Sequence, residues 1–225
     1  PLNSREHPPT PDTLRDSDLS GAPASSSGGK GLSGWWLIPL LLAAVLLVTL
    51  RQQNDSMVGQ DSPSIGESAP QFDLVSLSAD LSLPAYQWQP GRVTLLHFWG
   101  TWCGPCKLEY PELSEMAGQL SIHEPRFDFV PVTCEYGTDE TFAGLWSKTD
   151  EYLQSNRIDG AAYADPRGVT RRSAAERLQR NSLFYPTSIL IDHQGTIAGV
   201  WEGYTPDSVD QIKTLADRLI ADCRD

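Results

Sequence analysis

Apolar and polar positions along this chain fall into three regimes. Residues 1–30 are rich in Ser, Pro, Gly and Asp, include the run Ser25-Ser26-Ser27-Gly28-Gly29, and show almost no apolar clustering. Such a segment does not offset the entropy of ordering itself, so it reads as a disordered tail. Trp35 to Leu50 then runs without a charge, between Lys30 and Arg51. With Gly31 to Gly34 in front it reaches about the twenty residues that a helix needs to cross a bilayer. The pattern predicts a transmembrane anchor over 31–51, with Trp35 and Trp36 at the interface and Pro39 near the first turn, where a missing N–H does least harm. Two other readings compete. The core of a cleaved signal peptide is shorter and ends in a small-x-small site, and a buried soluble helix shows a polar face. One basic residue at each end leaves orientation open. Residues 52–68, polar and carrying Gly59, Pro63 and Gly66, read as a flexible tether.

A globular pattern begins at about Ala69 and continues to the end, giving a domain over 69–225. Phe72, Leu74, Val75 and Leu77 suggest a short strand. After the Pro90-Gly91 turn, Val93 to Trp99 is the uninterrupted apolar run of a strand buried on both faces. Helical spacing follows Cys103, with Leu108, Leu113, Met116 and Leu120 on the apolar face and Pro111 inside, where it removes a hydrogen bond. A second buried strand is expected at Phe127 to Thr133. Helices are expected over Glu140 to Gln154 and Val169 to Gln179, joined by a loop carrying Asp165-Pro166-Arg167-Gly168. Ser188 to Asp192 and Thr196 to Glu202 flank His193-Gln194-Gly195 as a hairpin. A last helix opens with Thr205 as N-cap and Pro206 at its first position, and turns Val209, Ile212, Leu215, Leu219 and Cys223 inward. This order gives an α/β fold: a central mixed sheet with helices on both faces.

Charge and cysteine usage narrow the chemistry. The 225 residues carry a net charge of −12, which argues against a nucleic-acid partner, since that needs a basic footprint. Four cysteines, at 103, 106, 134 and 223, are too sparse for a disulfide-stapled scaffold. Thiolate zinc sites need a second pair or spaced histidines, and those at 7, 97, 123 and 193 lack ligand spacing. The close pair therefore points to redox work without metal or organic cofactor.

Cys103 falls where a buried strand turns into a helix, so it meets the unpaired N–H groups and the positive end of the helix dipole. That environment favours the thiolate, which is the attacking species. An exposed Cys103 attacks, and Cys106, about one turn inward and less exposed, closes on the mixed disulfide. Trp102 covers one side of the pair, Gly104 tightens the turn, and Pro105 enters the helix without wasting a donor. The competing reading is a static structural disulfide.

Three separated motifs now carry a resemblance. Gly66-Glu67-Ser68-Ala69-Pro70-Gln71-Phe72-Asp73-Leu74, Leu95-Leu96-His97-Phe98-Trp99-Gly100-Thr101-Trp102-Cys103-Gly104-Pro105-Cys106 and Tyr185-Pro186-Thr187-Ser188-Ile189-Leu190-Ile191-Asp192-His193-Gln194-Gly195 resemble the TlpA, ResA and DsbE group of thioredoxin-like proteins. The resemblance implies a single-pass anchor with the catalytic domain on the extracytoplasmic, periplasmic side. It implies a dithiol reductant of protein disulfides, as in cytochrome c maturation, fed by a membrane electron donor. It also implies a cis Pro186 opposite the cysteines, with the Tyr185 backbone holding an extended substrate segment; an ordinary trans Pro186 opening a strand is the alternative.

Glu109 stands three residues after Cys106, beneath that sulfur on a helix, where members of the group carry a glutamate. A carboxylate buried near thiols has a raised pKa and serves as acid and base in turn; the alternative is a solvated glutamate. His97 occupies the place of a buried aspartate in thioredoxins, and its two readings are a proton shuttle near neutrality and a hydrogen-bonded core histidine. Cys134 and Cys223 read as small buried apolar residues that do not bond to each other, Cys134 having a secondary reading as a resolving thiol. Two other functions stay open: a copper-delivering module using the Cys103 and Cys106 thiolates, and a thiol peroxidase, which typically carries Thr-x-x-Cys instead.

Overall fold

The computed structural model describes residues 58–78, 83–135, 137 and 139–223, together with the single positions 38, 42 and 43. The tail over 1–30 and almost all of the anchor over 31–51 lie outside these residues. Among the described residues no helix is long and apolar enough to cross a membrane. The chain divides into two units, Pro1–Leu47 and Val48–Asp225, and the sheet and the cysteine pair both belong to the second.

Six strands form one mixed sheet in the order β1-β4-β3-β2-β5-β6. They are β1 (Val75–Ser76), β2 (Val93–Trp99), β3 (Phe127–Thr133), β4 (Tyr163–Ala164), β5 (Thr187–Ile191) and β6 (Ile197–Glu202). The β2·β3 and β3·β4 pairs are parallel, and the other three are antiparallel. The helices are α1 (Gly104–His123), α2 (Phe142–Asn156), α3 (Val169–Arg177) and α4 (Ser208–Asp222).

β2 is central, and all seven of its residues are buried, which is why its sequence shows no alternation. Leu96 and Phe98 face one layer with Val130, Val132, Ile189, Ile191, the α3 residues Ala174 and Ala175, and Leu178 at the C-cap of that helix. Val93 and Leu95 face the other, with Leu113 and Ala117 of α1 and Ile212 and Leu215 of α4. The expected thioredoxin-like sandwich of helices about a mixed sheet is what the structure contains. β4 was not foreseen. With β1 it makes a two-residue edge pairing, Val75↔Ala164 and Ser76↔Tyr163.

Three local expectations are corrected. Leu108 is 65% exposed, and the inward face of α1 instead carries Cys106, Glu109, Tyr110, Leu113, Met116, Ala117 and Leu120. The N-cap of α4 is Asp207, because the Thr205 and Ser208 hydroxyls bond each other at 2.8 Å and hold Pro206 in the approach to the helix. Residues 58–68, expected within the tether, are fastened to the sheet; 52–57 lie outside the described residues. The Gly66 amide donates to Ile197 and the Ile197 amide to Glu67, Ser68 bridges Thr196, and Ser64 Oγ donates to the Arg177 carbonyl at 2.8 Å. Their polar side chains give no sign of this, because the attachment is made chiefly by backbone hydrogen bonds beside the start of β6.

Gly59 seats this segment. A Cβ there would lie 2.2 Å from Trp201 Cε2, and that indole is buried and donates to Gln211 Oε1 at 3.0 Å. Gly59→Ala is therefore expected to lower stability by about 1–3 kcal/mol in urea unfolding. An unchanged midpoint would show that the glycine does not rest on Trp201.

Candidate active site

β2 delivers Trp99 to the end of the sheet, and the chain turns through Gly100 into α1. Gly100 is fixed by crowding: a Cβ would fall 2.4 Å from Trp102 Nε1 and 3.0 Å from the Cys134 carbonyl. Cys103 is the N-cap of α1, with extended backbone, and its Sγ accepts from the Cys106 N–H at 3.2 Å. Gly104 and Pro105 begin the helix, so proline occupies a position whose N–H has no intrahelical partner. The helix continues through Pro111 to His123.

Cys103 and Cys106 are joined by a disulfide. The expectation of an exposed Cys103 is corrected: it is 5% exposed, against 0% for Cys106. The pair is set into an aromatic nest of Trp99 and Tyr110, with Tyr152 and Tyr185 packed at its margin. Trp99 and Tyr110 stack with ring centroids 3.8 Å apart. Only the edge of Cys103 reaches solvent, and of the two sulfurs it remains the one open to attack.

Two rings wall that edge. Trp102, 40% exposed, donates from Nε1 to the Cys134 carbonyl at 2.9 Å. Tyr185 meets it edge-on, with centroids 5.3 Å apart. The Tyr185-Pro186 peptide is cis, and β5 starts at Thr187 opposite Phe98, so this loop stands over the end of β2 beside the cysteines. Phe184, just before it, is 59% exposed.

Two titratable groups are buried in this region, Glu109 on α1 and His97 on β2. Glu109 is 1% exposed, and its Oε2 has no hydrogen-bond partner among the described residues. Burial first, then the charge of Glu112, raises its pKa to about 7. The solvated reading of Glu109 is thereby set aside. His97 is fully buried, with Nδ1 2.8 Å from Ser188 Oγ and the ring over Tyr110. Burial lowers its pKa to about 3, so the ring is neutral at pH 7. Nδ1 makes the hydrogen bond of a core histidine, while Nε2 has no hydrogen-bond partner among the described residues.

The remaining cysteines are free. Cys134 follows β3 at the reactive end of the sheet and is wholly buried, which pushes its thiol up to about 12 and leaves a poor resolving nucleophile. Cys223 ends α4 at the opposite end, where Arg126, ahead of β3, reaches its carbonyl. Among the described residues no group of three or more His, Cys, Asp or Glu side chains is placed to hold a metal ion. Gly100 and the polar residues behind Tyr185, Arg171 above all, went unread in the sequence; the approach of Trp102 to Gly100 had a signal only in the small residue between two tryptophans.

The two buried groups give opposite pH dependences. The folded state keeps a proton on Glu109 that the unfolded chain has lost between about pH 4.5 and 7, so this group erodes stability as pH rises through that window. His97 acts the other way: between about pH 3 and 6.5 only the unfolded chain is protonated there, and stability falls as pH falls. Glu109→Gln is expected to be more stable than the parent by about 3 kcal/mol above neutrality and no more stable at about pH 4, read by urea unfolding of the oxidised protein. A difference independent of pH would show that Glu109 titrates normally.

The comparisons with known proteins agree with this geometry. A thiol:disulfide interchange protein DsbE homolog of Paracoccus denitrificans is 31% identical over 101 residues, covering 43% of this chain and 46% of its own length. The thioredoxin-like protein YneN of Bacillus subtilis is 28% identical over 142 residues, 61% of this chain and 71% of its own. The chain thus spans less than half of the Paracoccus relative. The crystal structure of a thioredoxin-family thiol:disulfide interchange protein from Chlorobium tepidum superposes with a TM-score of 0.50 at 20% identity, over 68% of this chain and 95% of that one, and shows the shared fold. The model of the AhpC/TSA family matches residues 65–200, from the strap along β6 through the cysteine pair to β6 itself, and the chain belongs to that family.

Proposed function

We propose that this protein is a thiol:disulfide oxidoreductase that exchanges the Cys103–Cys106 pair with disulfides of protein substrates, working as the reductant. The observation that carries the reading is the placement of Cys103: N-cap of α1, bonded to Cys106, slightly exposed, and flanked by Trp102 and the cis Tyr185-Pro186 loop that packs against it. A static disulfide needs neither a helix N-terminus nor an access slot. The names of the relatives, interchange proteins and a thioredoxin-like protein, support the same chemistry.

In the reduced protein the Cys103 thiolate attacks one sulfur of the substrate disulfide, and the other leaves as a thiolate that takes up a proton. Cys106 then loses its proton and attacks Cys103 Sγ. The second substrate thiol is released, and Cys103–Cys106 remains as a disulfide. Two electrons pass to the substrate, whose two thiols take up one proton that left Cys106 and one from solvent. Glu109, with a pKa raised to about 7 and one turn below Cys106, is the acceptor of the Cys106 proton. The Tyr185 backbone beside Pro186 holds the extended substrate segment. The Gly104-Pro105 pair between the cysteines suits a potential of about −270 mV, as in thioredoxin.

The domain acts outside the cytoplasm, tethered through 31–51, and draws electrons from a membrane partner; cytochrome c maturation is the model process. The uncharged run Trp35 to Leu50 and the resemblance to the TlpA, ResA and DsbE group support this placement. Exchange is favoured over peroxide reduction by the run Trp102-Cys103-Gly104-Pro105-Cys106, which stands where a thiol peroxidase typically carries Thr-x-x-Cys.

Cys106→Ser is expected to accumulate a mixed disulfide through Cys103 with a disulfide-bonded protein substrate, seen as a dithiothreitol-sensitive mass shift. Cys103→Ser is expected to form none. Equal trapping by both variants, or by neither, would contradict the assignment of attacking and resolving sulfurs.

A further inference from the structure

Arg171 lies in the first turn of α3, on the far side of Tyr185 from the disulfide. Its side chain is 24% exposed and grips three groups. Nη1 donates to Glu135 Oε2 at 2.6 Å, Nη2 donates to the Asp165 carbonyl at 2.9 Å, and Nε sits 3.5 Å from Asp165 Oδ2. That same Oδ2 accepts the Arg171 backbone N–H at 2.8 Å. Glu135 follows β3 and Asp165 follows β4, so one guanidinium ties both strand ends to the start of α3 at the reactive end of the sheet.

The tie extends to both walls of the slot. Tyr185 packs against the core cluster that contains Cys134, and its phenol interacts electrostatically with the Arg171 guanidinium and the Cys134 thiol. Cys134, through its carbonyl, holds the Trp102 indole. Trp102 and Tyr185 are thus fastened from behind to one short segment, Cys134-Glu135, and Arg171 fixes that segment. Arginine suits the place because its planar fork spans several acceptors at once and stays charged, which a point-charged ammonium on a flexible stem does not reproduce.

We propose that Arg171 is a positioning residue that sets the angle and spacing between Trp102 and Tyr185, and so determines how a polypeptide segment enters the slot to reach Cys103. The proposal rests on the exchange reading and deepens it: Arg171 acts on recognition of extended polypeptide, not on the reactivity of the sulfurs. A substrate too small to engage both rings does not depend on it.

The test compares reduction of insulin disulfides with reduction of a small aromatic disulfide by the same protein. Arg171→Lys keeps a charge opposite Glu135 and Asp165, so the fold stays compensated, but loses the fork. It is expected to raise KM for insulin about tenfold, with kcat, the turnover of the small disulfide and the Cys103–Cys106 potential unchanged. Tyr185→Phe, which removes only the hydroxyl, is expected to raise the insulin KM in the same direction, and the double variant to be no worse than Arg171→Lys alone. An unchanged insulin KM, equal losses on both substrates, a shifted potential or additive losses in the double variant would each overturn the proposal. Wild-type protein inert toward both disulfides would overturn the exchange reading itself, and the proposal with it.

Discussion

The Cys106 amide aimed at Cys103 Sγ, 3.2 Å away, is the contact on which the site depends, because it places one sulfur at the positive end of a 20-residue helix. A thiolate there gains from the helix dipole and from a donor already pointed at it, with no reorganisation when the charge forms. The flanking residues protect this contact. Gly100 permits the tight approach of Trp102, Pro105 gives up an N–H that the first turn does not use, and the fully buried β2 holds the turn in place. A Cβ at position 100 would displace the indole, and with it one wall of the slot.

Around that contact, burial makes the neighbouring groups unequal. Glu109, His97 and Cys134 are all nearly or wholly inaccessible, yet their chemistry differs. Burial holds Glu109 close to neutrality, where it exchanges a proton readily, while it keeps His97 neutral and Cys134 protonated. Burial thus gives three neighbouring groups three different protonation chemistries. Trp99, Tyr110 and Tyr152 pack together around the cysteine pair, with His97 against Tyr110, while Cys134 is buried in the separate cluster on the other layer.

The parts of this arrangement legible in the sequence are those written by local pattern. β2, β3 and the β5–β6 hairpin announce themselves as apolar runs and a glycine turn, and the start of α1 is marked by Cys103 to Cys106. What was hidden depends on distant partners. β4 is two residues long and exists because Ala164 meets Val75 of the expected first strand across the chain, which no periodicity records. Residues 58–68 look like linker because their hydrogen bonds are made by backbone along β6, not by apolar side chains. Leu108 has the helical spacing of a core residue, but Glu109 and Tyr110 take the inward face beneath the sulfurs, a rule of apolar pattern broken at the functional site. Arg171 lies in an ordinary charged stretch, and its meaning comes only from Glu135, Asp165 and Tyr185 converging on it.

The central claim is that Cys103 is ionised by its place at the head of α1, although only 5% of it is accessible in the disulfide form. Its most direct test is the pH dependence of iodoacetamide alkylation of the reduced protein, with the modified peptide containing Cys103 identified by mass spectrometry. The rate at Cys103 should rise with an apparent pKa of about 7 or below, and at neutral pH it should far exceed that at Cys134 or Cys223. A midpoint at about 8.5 or above, the value of an ordinary free thiol, would contradict the account.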